Sequence, residues 1–332
     1  MDGPGETGSR RAGASGGRPA RRCRPGSRSV LAPAPFCLVL TLLLFTACGV
    51  PRQPSVAELA AAAQAGDDRA AGRLVTRMGS GWDEPTRASA YRAVLDLGDR
   101  AEDAVRKACR SDDPVLREHA LAVAGNRRWP WVFGEALRAL GDTSFPRRYV
   151  GAWALGELGR PDGAAALVGV LGEGGDLARE ATRALVKLGA GAVPAILDAF
   201  PRLPPPGRVQ AVLALGDVRD PRAAPVLLGA LGPPETRGAA AWALGRLGVP
   251  ALAEALLPLL SDPAWRVRME AARALGTLEY LPAAGALDGL RRDDPVEAVR
   301  QWAARSLALI RKTPQTYPDA RGRPVLPDNV YR

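Results

Sequence analysis

The chain has 332 residues, 47% of them hydrophobic and only 5% aromatic, and alanine, leucine, glycine and arginine dominate its composition. This composition excludes disorder throughout and favours an all-helical protein with a buried core. The formal net charge of +10 does not predict a nucleic-acid partner, because residues 1–47 alone carry seven arginines against two acidic residues, and the remaining excess is spread thinly over the rest of the chain.

The N-terminal region is predicted to be an export signal, spanning residues 1–47. A basic stretch is followed by the uncharged run "FCLVLTLLLFTA" at 36–47. Twelve residues are too few to span a bilayer comfortably, but they suit the apolar core of a signal peptide. An ordinary secretory signal and an uncleaved signal anchor remain alternatives to the processing described next.

Residues 45–48, "FTAC", resemble the lipobox of bacterial lipoproteins, although Phe45 stands where leucine is usual. The resemblance implies that Cys48 is the lipid attachment site and the mature N-terminus, and that residues 48–54 form a short tether. Cys23 and Cys37 precede Cys48, which leaves Cys109 as the remaining cysteine. No disulfide framework or metal-site spacing is therefore predicted.

A repeat of about 30 residues occupies most of the chain. "AWALGELG" at 152–159 returns as "AWALGRLG" at 241–248, and the glycines of this pattern are Gly156, Gly216, Gly245 and Gly276. Two segments with helical periodicity per unit, such as 250–261 with 263–278, predict an all-α solenoid of seven or eight helix pairs over residues 55–312. A glycine inside a helix costs about 1 kcal/mol relative to alanine, so its repeated use predicts close approach of adjacent helices.

The repeats resemble HEAT repeats, specifically the short HEAT-like repeats of bilin lyases (the PBS-lyase type). The motif D-x-x-x-x-[VI]-R-x-x-A-A-x-A-L-G matches the segments that begin at Asp262 and Asp294, and fits the segment from Asp142 with Arg147 in place of the valine. The resemblance implies that these segments are inner helices. It also implies a structural ladder of arginines and aspartates between neighbouring turns, formed by Asp142, Arg148, Arg208, Arg237, Asp262, Arg268, Asp294 and Arg300.

One column of the inner helices lies roughly opposite the buried stripe. It contains the residues that precede "ALG" or its equivalent, together with Tyr149 one turn before Trp153: Tyr149, Trp153, Arg183, Leu213, Trp242, Arg273 and Arg305. Indole and guanidinium groups are enriched in interface hot spots, so this column is predicted to bind a protein partner on the concave face. The alternative is that the tryptophans only pack between repeats.

No catalytic constellation is predicted. His119 is the only histidine, which excludes the two-iron site of HEAT-repeat deoxyhypusine hydroxylases on ligand count. We therefore expect no catalytic residue, no metal, no cofactor and no small-molecule substrate.

The resulting hypothesis is a non-enzymatic, membrane-tethered scaffold that binds a protein of the cell envelope, with its folded domain outside the cytoplasm. A bilin-lyase-like or other enzyme-associated HEAT-repeat protein and a purely structural spacer are the alternatives. Residues 313–332 carry four prolines without apolar periodicity, and they are predicted to form an extended or disordered tail.

Overall fold

The computed structural model describes residues 52–312, 317–318 and 324–325. The predicted signal peptide and Cys48 lie outside these residues. The described part contains sixteen α-helices: α1 Val56–Gln64, α2 Asp68–Thr76, α3 Glu84–Leu97, α4 Glu102–Ala108, α5 Pro114–Arg127, α6 Val132–Gly141, α7 Tyr149–Leu158, α8 Ala164–Gly169, α9 Gly175–Leu188, α10 Val193–Ala199, α11 Pro205–Val218, α12 Ala224–Gly229, α13 Pro234–Leu247, α14 Trp265–Thr277, α15 Ala284–Asp293 and α16 Glu297–Arg311.

These helices stack as a solenoid within one compact unit, residues 54–332. After α1, each outer helix packs against the inner helix that follows it, and consecutive inner helices pack against each other. The inner helices are α3, α5, α7, α9, α11, α13, α14 and α16. The predicted all-α solenoid is confirmed, with eight helix pairs among the described residues.

Local sequence explains where the helices begin and end. Asp83 and Asp113 accept hydrogen bonds from backbone N–H groups of the first turns of α3 and α5, and a proline follows each of them in that turn. Such caps satisfy N–H groups that have no partner within the helix. Gly159 and Gly248 end α7 and α13 in the left-handed conformation, which glycine adopts without steric cost.

The outer layer is less regular than the sequence predicts. The segment Pro250–Ser261 is a 3-10 helix that contains Pro258, where an α-helix was expected. Proline lacks a backbone N–H and its ring clashes with the carbonyl four residues earlier in an α-helix, so Pro258 interrupts an α-helix at this point. The outer helices α8, α10 and α12 have only six or seven residues each.

The repeated glycines lie where inner helices approach each other. A Cβ at Gly245 would lie 2.8 Å from the Cα of Ala274, and a Cβ at Gly156 would lie 2.9 Å from the Cα of Ala184. The leucine that precedes each glycine is buried, and Leu155, Leu215, Leu244 and Leu275 are fully inaccessible. Each repeat thus buries its apolar stripe against its neighbours, as a solenoid requires.

Strands β1 Tyr317–Pro318 and β2 Pro324–Val325 pair antiparallel within the predicted tail. Among the described residues no single helix is long and apolar enough to cross a membrane. The helical segments Gly175–Gly191 and Val193–Arg202 reach that length and apolar composition only when taken together, and they are bent by 116° relative to each other.

Candidate protein-binding groove

The predicted column lies on six inner helices, in equivalent positions except for Tyr149, which lies one turn before Trp153. Arg183 on α9 is exposed, and the other members are partly buried: Tyr149 and Trp153 on α7, Leu213 on α11, Trp242 on α13, Arg273 on α14 and Arg305 on α16. Because consecutive inner helices contact each other, the column forms a row across the inner-helix face.

The two tryptophans of this row rest on glycines of the preceding inner helix. A Cβ at Gly125 would lie 2.6 Å from Cζ3 of Trp153, and a Cβ at Gly216 would lie 2.7 Å from Cζ3 of Trp242. Both indoles remain partly exposed. Each tryptophan therefore packs between two repeats and also contributes to the accessible inner surface.

A cavity of about 650 Å³ opens on the inner-helix face across α3, α5, α7 and α9. Its lining contains an aromatic set from three successive inner helices, Tyr91, His119, Tyr149 and Trp153, together with the carboxylates Glu84, Glu118 and Glu180. We call this the aromatic cavity. Its size and largely apolar lining with a few polar groups are those of ligand and side-chain binding pockets.

Only Tyr149 and Trp153 of this lining were predicted from sequence. Glu118 stands seven residues before Gly125, as Tyr149 stands seven residues before Gly156. The register of the repeat could therefore have identified Glu118, had the column been extended one unit towards the N-terminus. Tyr91 lies in α3, whose sequence has no glycine at the repeat position. The glycine therefore cannot be used to align Tyr91 with residues of the other inner helices.

Glu118 lines the cavity and links two repeats. Its carboxylate accepts hydrogen bonds from the Tyr149 hydroxyl and from the Arg147 guanidinium, which forms an ion pair with it. Burial raises the pKa of Tyr149, and its hydrogen bond to the Glu118 carboxylate raises that pKa further. Arg147, at the position of the motif's valine, thus has a cross-repeat partner.

His119 has a defined hydrogen bond at one ring nitrogen. Its Nδ1 lies 2.8 Å from the carbonyl oxygen of Met78, and its ring centroid lies 5.9 Å from that of Tyr91. A carbonyl can only accept, so Nδ1 carries the proton. Nε2 has no hydrogen-bond partner within the described residues. The Tyr91 hydroxyl accepts a hydrogen bond of 2.9 Å from the Asn126 amide.

Two of the predicted ladder arginines bond aspartates about 25 residues further along the chain. Arg237 donates to Asp262 at 2.6 Å, and Arg268 donates to Asp294 at 2.7 and 3.0 Å. Both arginines also donate to carbonyls of the turn before their own helix. Each guanidinium therefore joins its own turn to the next one.

Other members of the predicted ladder have different partners. Asp142 accepts from Arg117 at 2.7 Å, whereas Arg148 donates to Glu173 at 2.5 and 3.0 Å. Two arginines bond only backbone carbonyls among the described residues: Arg208 at Pro201 (3.2 Å), and Arg300 at Asp294 (2.7 Å) and Pro295 (3.2 Å). Position 233, where the equivalent acid would stand for Arg208, is proline.

A second set of ion pairs joins the C-terminal ends of the inner helices. Lys187 pairs with Glu157, and Arg246 pairs with Asp217 at 2.9 Å. The residue that follows each repeat glycine or its equivalent is alternately acidic and basic over these four units. Sequence reasoning missed this pairing, although the alternation was visible.

Comparisons with known proteins identify the repeat type over part of the chain. The family described as HEAT repeats matches residues 230–308, and the family described as PBS lyase HEAT-like repeat matches residues 207–232. No curated protein matches the sequence.

Two solved structures with this architecture belong to larger solenoids. The Kap95:Nup1 complex aligns with a TM-score of 0.56 and 14% identity over 79% of this chain and 44% of that one. Importin beta aligns with a TM-score of 0.57 and 12% identity over 77% of this chain and 44% of that one. This chain thus spans less than half the length of either protein, and the likeness shows the fold alone.

A third structure matches a shorter stretch. The complex of CpcE and CpcF of phycocyanin lyase from Nostoc sp. PCC7120 aligns with 27% identity and a TM-score of 0.42, over 44% of this chain and 99% of that one. The family matches and the architecture together establish that this all-α solenoid contains HEAT repeats over residues 207–308.

Proposed function

We propose that this protein is a non-enzymatic scaffold that holds a protein partner against its inner-helix face, at the aromatic cavity. The observation that carries the proposal is the set of partly exposed rings of Tyr91, Tyr149 and Trp153 around a cavity of about 650 Å³. Tyrosine and tryptophan are enriched among the residues that dominate binding energy. Solenoids use such extended inner surfaces for binding.

The proposal includes a location at the cell envelope. The basic stretch, the apolar run at 36–47 and the "FTAC" segment support export and lipid attachment at Cys48, with the solenoid outside the cytoplasm and an envelope protein as partner. Metabolic labelling with a fatty-acid analogue tests this anchoring. The intact chain should take up the label and Cys48→Ala should not, and an unlabelled intact chain would argue against the tether.

Partner capture tests the groove. The full-length chain, solubilised from membranes with detergent, serves as bait beside the double variant Tyr91→Ala/Trp153→Ala. The captured amount of the main partner should fall about tenfold or more, because truncating hot-spot residues costs about 2 kcal/mol or more. Trp265→Ala is the matched control, since Trp265 is 38% exposed and lies outside the cavity lining.

Folding must be monitored in the same experiment because Trp153 also packs on Gly125. Trp153→Phe is included as a milder substitution because it keeps most of this packing. Every variant compared should give the same helical circular dichroism spectrum as the parent. If the folded variant Tyr91→Ala/Trp153→Ala captures as much partner as the parent, the groove is rejected as the binding surface.

A bilin-lyase-like activity is the second candidate, and the match of residues 207–232 to the PBS lyase HEAT-like repeat favours it. Incubation of the chain with an open-chain tetrapyrrole tests this candidate. A stable change in the visible absorption spectrum would support it, and an unchanged spectrum would eliminate it.

A further inference from the structure

The inner-face tryptophans in the C-terminal half of the solenoid are accompanied by arginines of the same chain. The Cζ atom of Arg246 lies 5.7 Å from the ring centroid of Trp242, and those of Arg273 and Arg305 lie 5.4 and 5.0 Å from that of Trp302. A guanidinium within about 6 Å of an indole is attracted by the negative face of the ring. Trp242 and Trp302 therefore each have a guanidinium of the same chain within 6 Å of the indole ring.

The aromatic cavity differs in this respect. Among the described residues, no arginine or lysine lies over the rings of Tyr91, Tyr149 or Trp153. Nearby guanidiniums bond polar groups and not ring faces: Arg147 pairs with Glu118 and hydrogen-bonds the Tyr149 hydroxyl, and Arg92 donates to the carbonyl of Ala88 on its own helix at 3.4 Å.

Carboxylates surround these rings. Glu84 on α3, Glu118 on α5 and Glu180 on α9 all line the cavity, and Arg92 is the one arginine or lysine among the described residues of the lining. Each of these acids has an arginine partner and is partly neutralised: Glu84 pairs with Arg87, Glu118 with Arg147, and Glu180 with Arg183 through Oε2 at 3.1 Å. An ionised carboxylate offers about four acceptor sites, so Glu180, through Oε1, and Glu118 can each accept a further donor.

We propose that the aromatic cavity receives an arginine or lysine side chain of the protein partner, with the cation over the aromatic rings and its N–H groups directed to the carboxylates. The inference rests on the proposed function, because it names the chemistry by which that same cavity recognises its partner. Arginine fits better than lysine, since its planar guanidinium stacks on rings and forms paired hydrogen bonds with carboxylates. The partner's cation thus takes the place that Arg246 has beside Trp242.

The test follows tryptophan indole N–H signals by NMR in the full-length chain, which has seven tryptophans. The probes are N-acetyl-arginine methylamide and its uncharged counterpart N-acetyl-citrulline methylamide. Trp153→Phe identifies the Trp153 signal. The arginine probe should shift that signal saturably, with the Trp242 signal unmoved, and should bind at least about fivefold more tightly than the citrulline probe.

Glu180→Gln supplies the charge control, because it keeps the size of the side chain and removes one negative charge. It should weaken the arginine probe several-fold and leave the citrulline probe unchanged. Equal binding of the two probes, or an unmoved Trp153 signal at saturating probe, would overturn the inference.

This outcome is separable from that of the capture experiment. Capture that depends on Tyr91 and Trp153, combined with no response to the arginine probe, would mean that a partner binds the cavity without inserting a cation. If the arginine probe binds but the captured amount of partner does not depend on Tyr91 and Trp153, then the cavity binds a cation and the proposed function is rejected.

Discussion

The indole of Trp153 lies directly over Gly125 of the preceding inner helix, and a Cβ at Gly125 would lie only 2.6 Å from Cζ3 of the ring. The same relationship joins Trp242 to Gly216 three repeats later. The glycine therefore makes room for a large ring that both packs between repeats and faces the groove. The distance between these repeats and the shape of the inner-helix face therefore depend on the same contact.

Gly245→Ala should destabilise the solenoid. Alanine is the better helix former by about 1 kcal/mol, but its Cβ would lie 2.7 Å from the Cβ and 2.8 Å from the Cα of Ala274. Backbone cannot move aside cheaply, so overpacking by about 1–3 kcal/mol should outweigh the gain in propensity. Urea denaturation followed by circular dichroism measures the difference.

Gly72→Ala is the matched control within α2, because no atom outside the local backbone lies within 4 Å of the position its Cβ would take. Here propensity acts alone, and a stabilisation of about 0.5–1 kcal/mol is expected. A similar change at both sites would contradict the close-approach explanation of the repeat glycines.

Arg268→Ala should be among the more damaging substitutions in the chain. It removes the partner of Asp294, whose side chain is only 2% exposed, and it also removes the hydrogen bonds to the carbonyls of Asp262 and Pro263. Leaving a buried carboxylate without its cation costs about 3 kcal/mol or more. Equilibrium denaturation should show this loss.

An exposed pair of similar length provides the comparison. Arg202 and Asp198 lie 2.7 Å apart with side chains 71% and 78% exposed, and pairs of this kind contribute about 0.5 kcal/mol or less. If Arg202→Ala lowers the free energy of unfolding as much as Arg268→Ala does, then burial of the ion pair is not the reason that the ladder stabilises the fold.

Asp142 should make stability depend on acid pH. Hydrogen bonds from Ser144, and then from Arg117, lower the pKa of Asp142 to about 2, compared with about 3.9 in an unfolded chain. Because the folded pKa is the lower one, this stabilisation is fully present above about pH 4 and is lost as the pH falls towards 2.

Denaturation curves at pH 5, 4, 3 and 2.5 measure this effect. The parent should lose stability more steeply over this window than Asp142→Asn, which cannot titrate at position 142. Parallel pH profiles for the two chains would show that Asp142 is not held in its ionised form.

Cys109 should be unreactive in the folded chain. Burial raises the pKa of its thiol to about 12, and the nearby Glu135 carboxylate adds to the shift. Since the thiolate is the reactive species, labelling by a maleimide at pH 8 should be slower than in the unfolded chain by roughly three orders of magnitude. Mass spectrometry of the peptide that contains Cys109 reports the rate, and equal labelling before and after unfolding would disprove the burial.

The sequence predicted the helix pairs, their period and the row that holds Trp153 and Trp242. It could do so because each repeat must bury the same apolar stripe, and this requirement leaves a periodic pattern in the chain. It did not predict the 3-10 helix around Pro258 or the carbonyl-only bonding of Arg208, since both depend on a single proline that interrupts the pattern locally.

By itself, the sequence determined which face of each helix is buried, because that choice follows from periodicity over a few turns. Only the tertiary structure decided that Tyr91, Glu118, His119 and Trp153 surround one cavity, and that no arginine or lysine among the described residues lies over its aromatic rings. These residues come from three different repeats. The distances between these side chains depend on how each repeat is displaced and rotated relative to the previous one. Packing between helices sets this displacement and rotation, and the sequence pattern within one helix does not contain it.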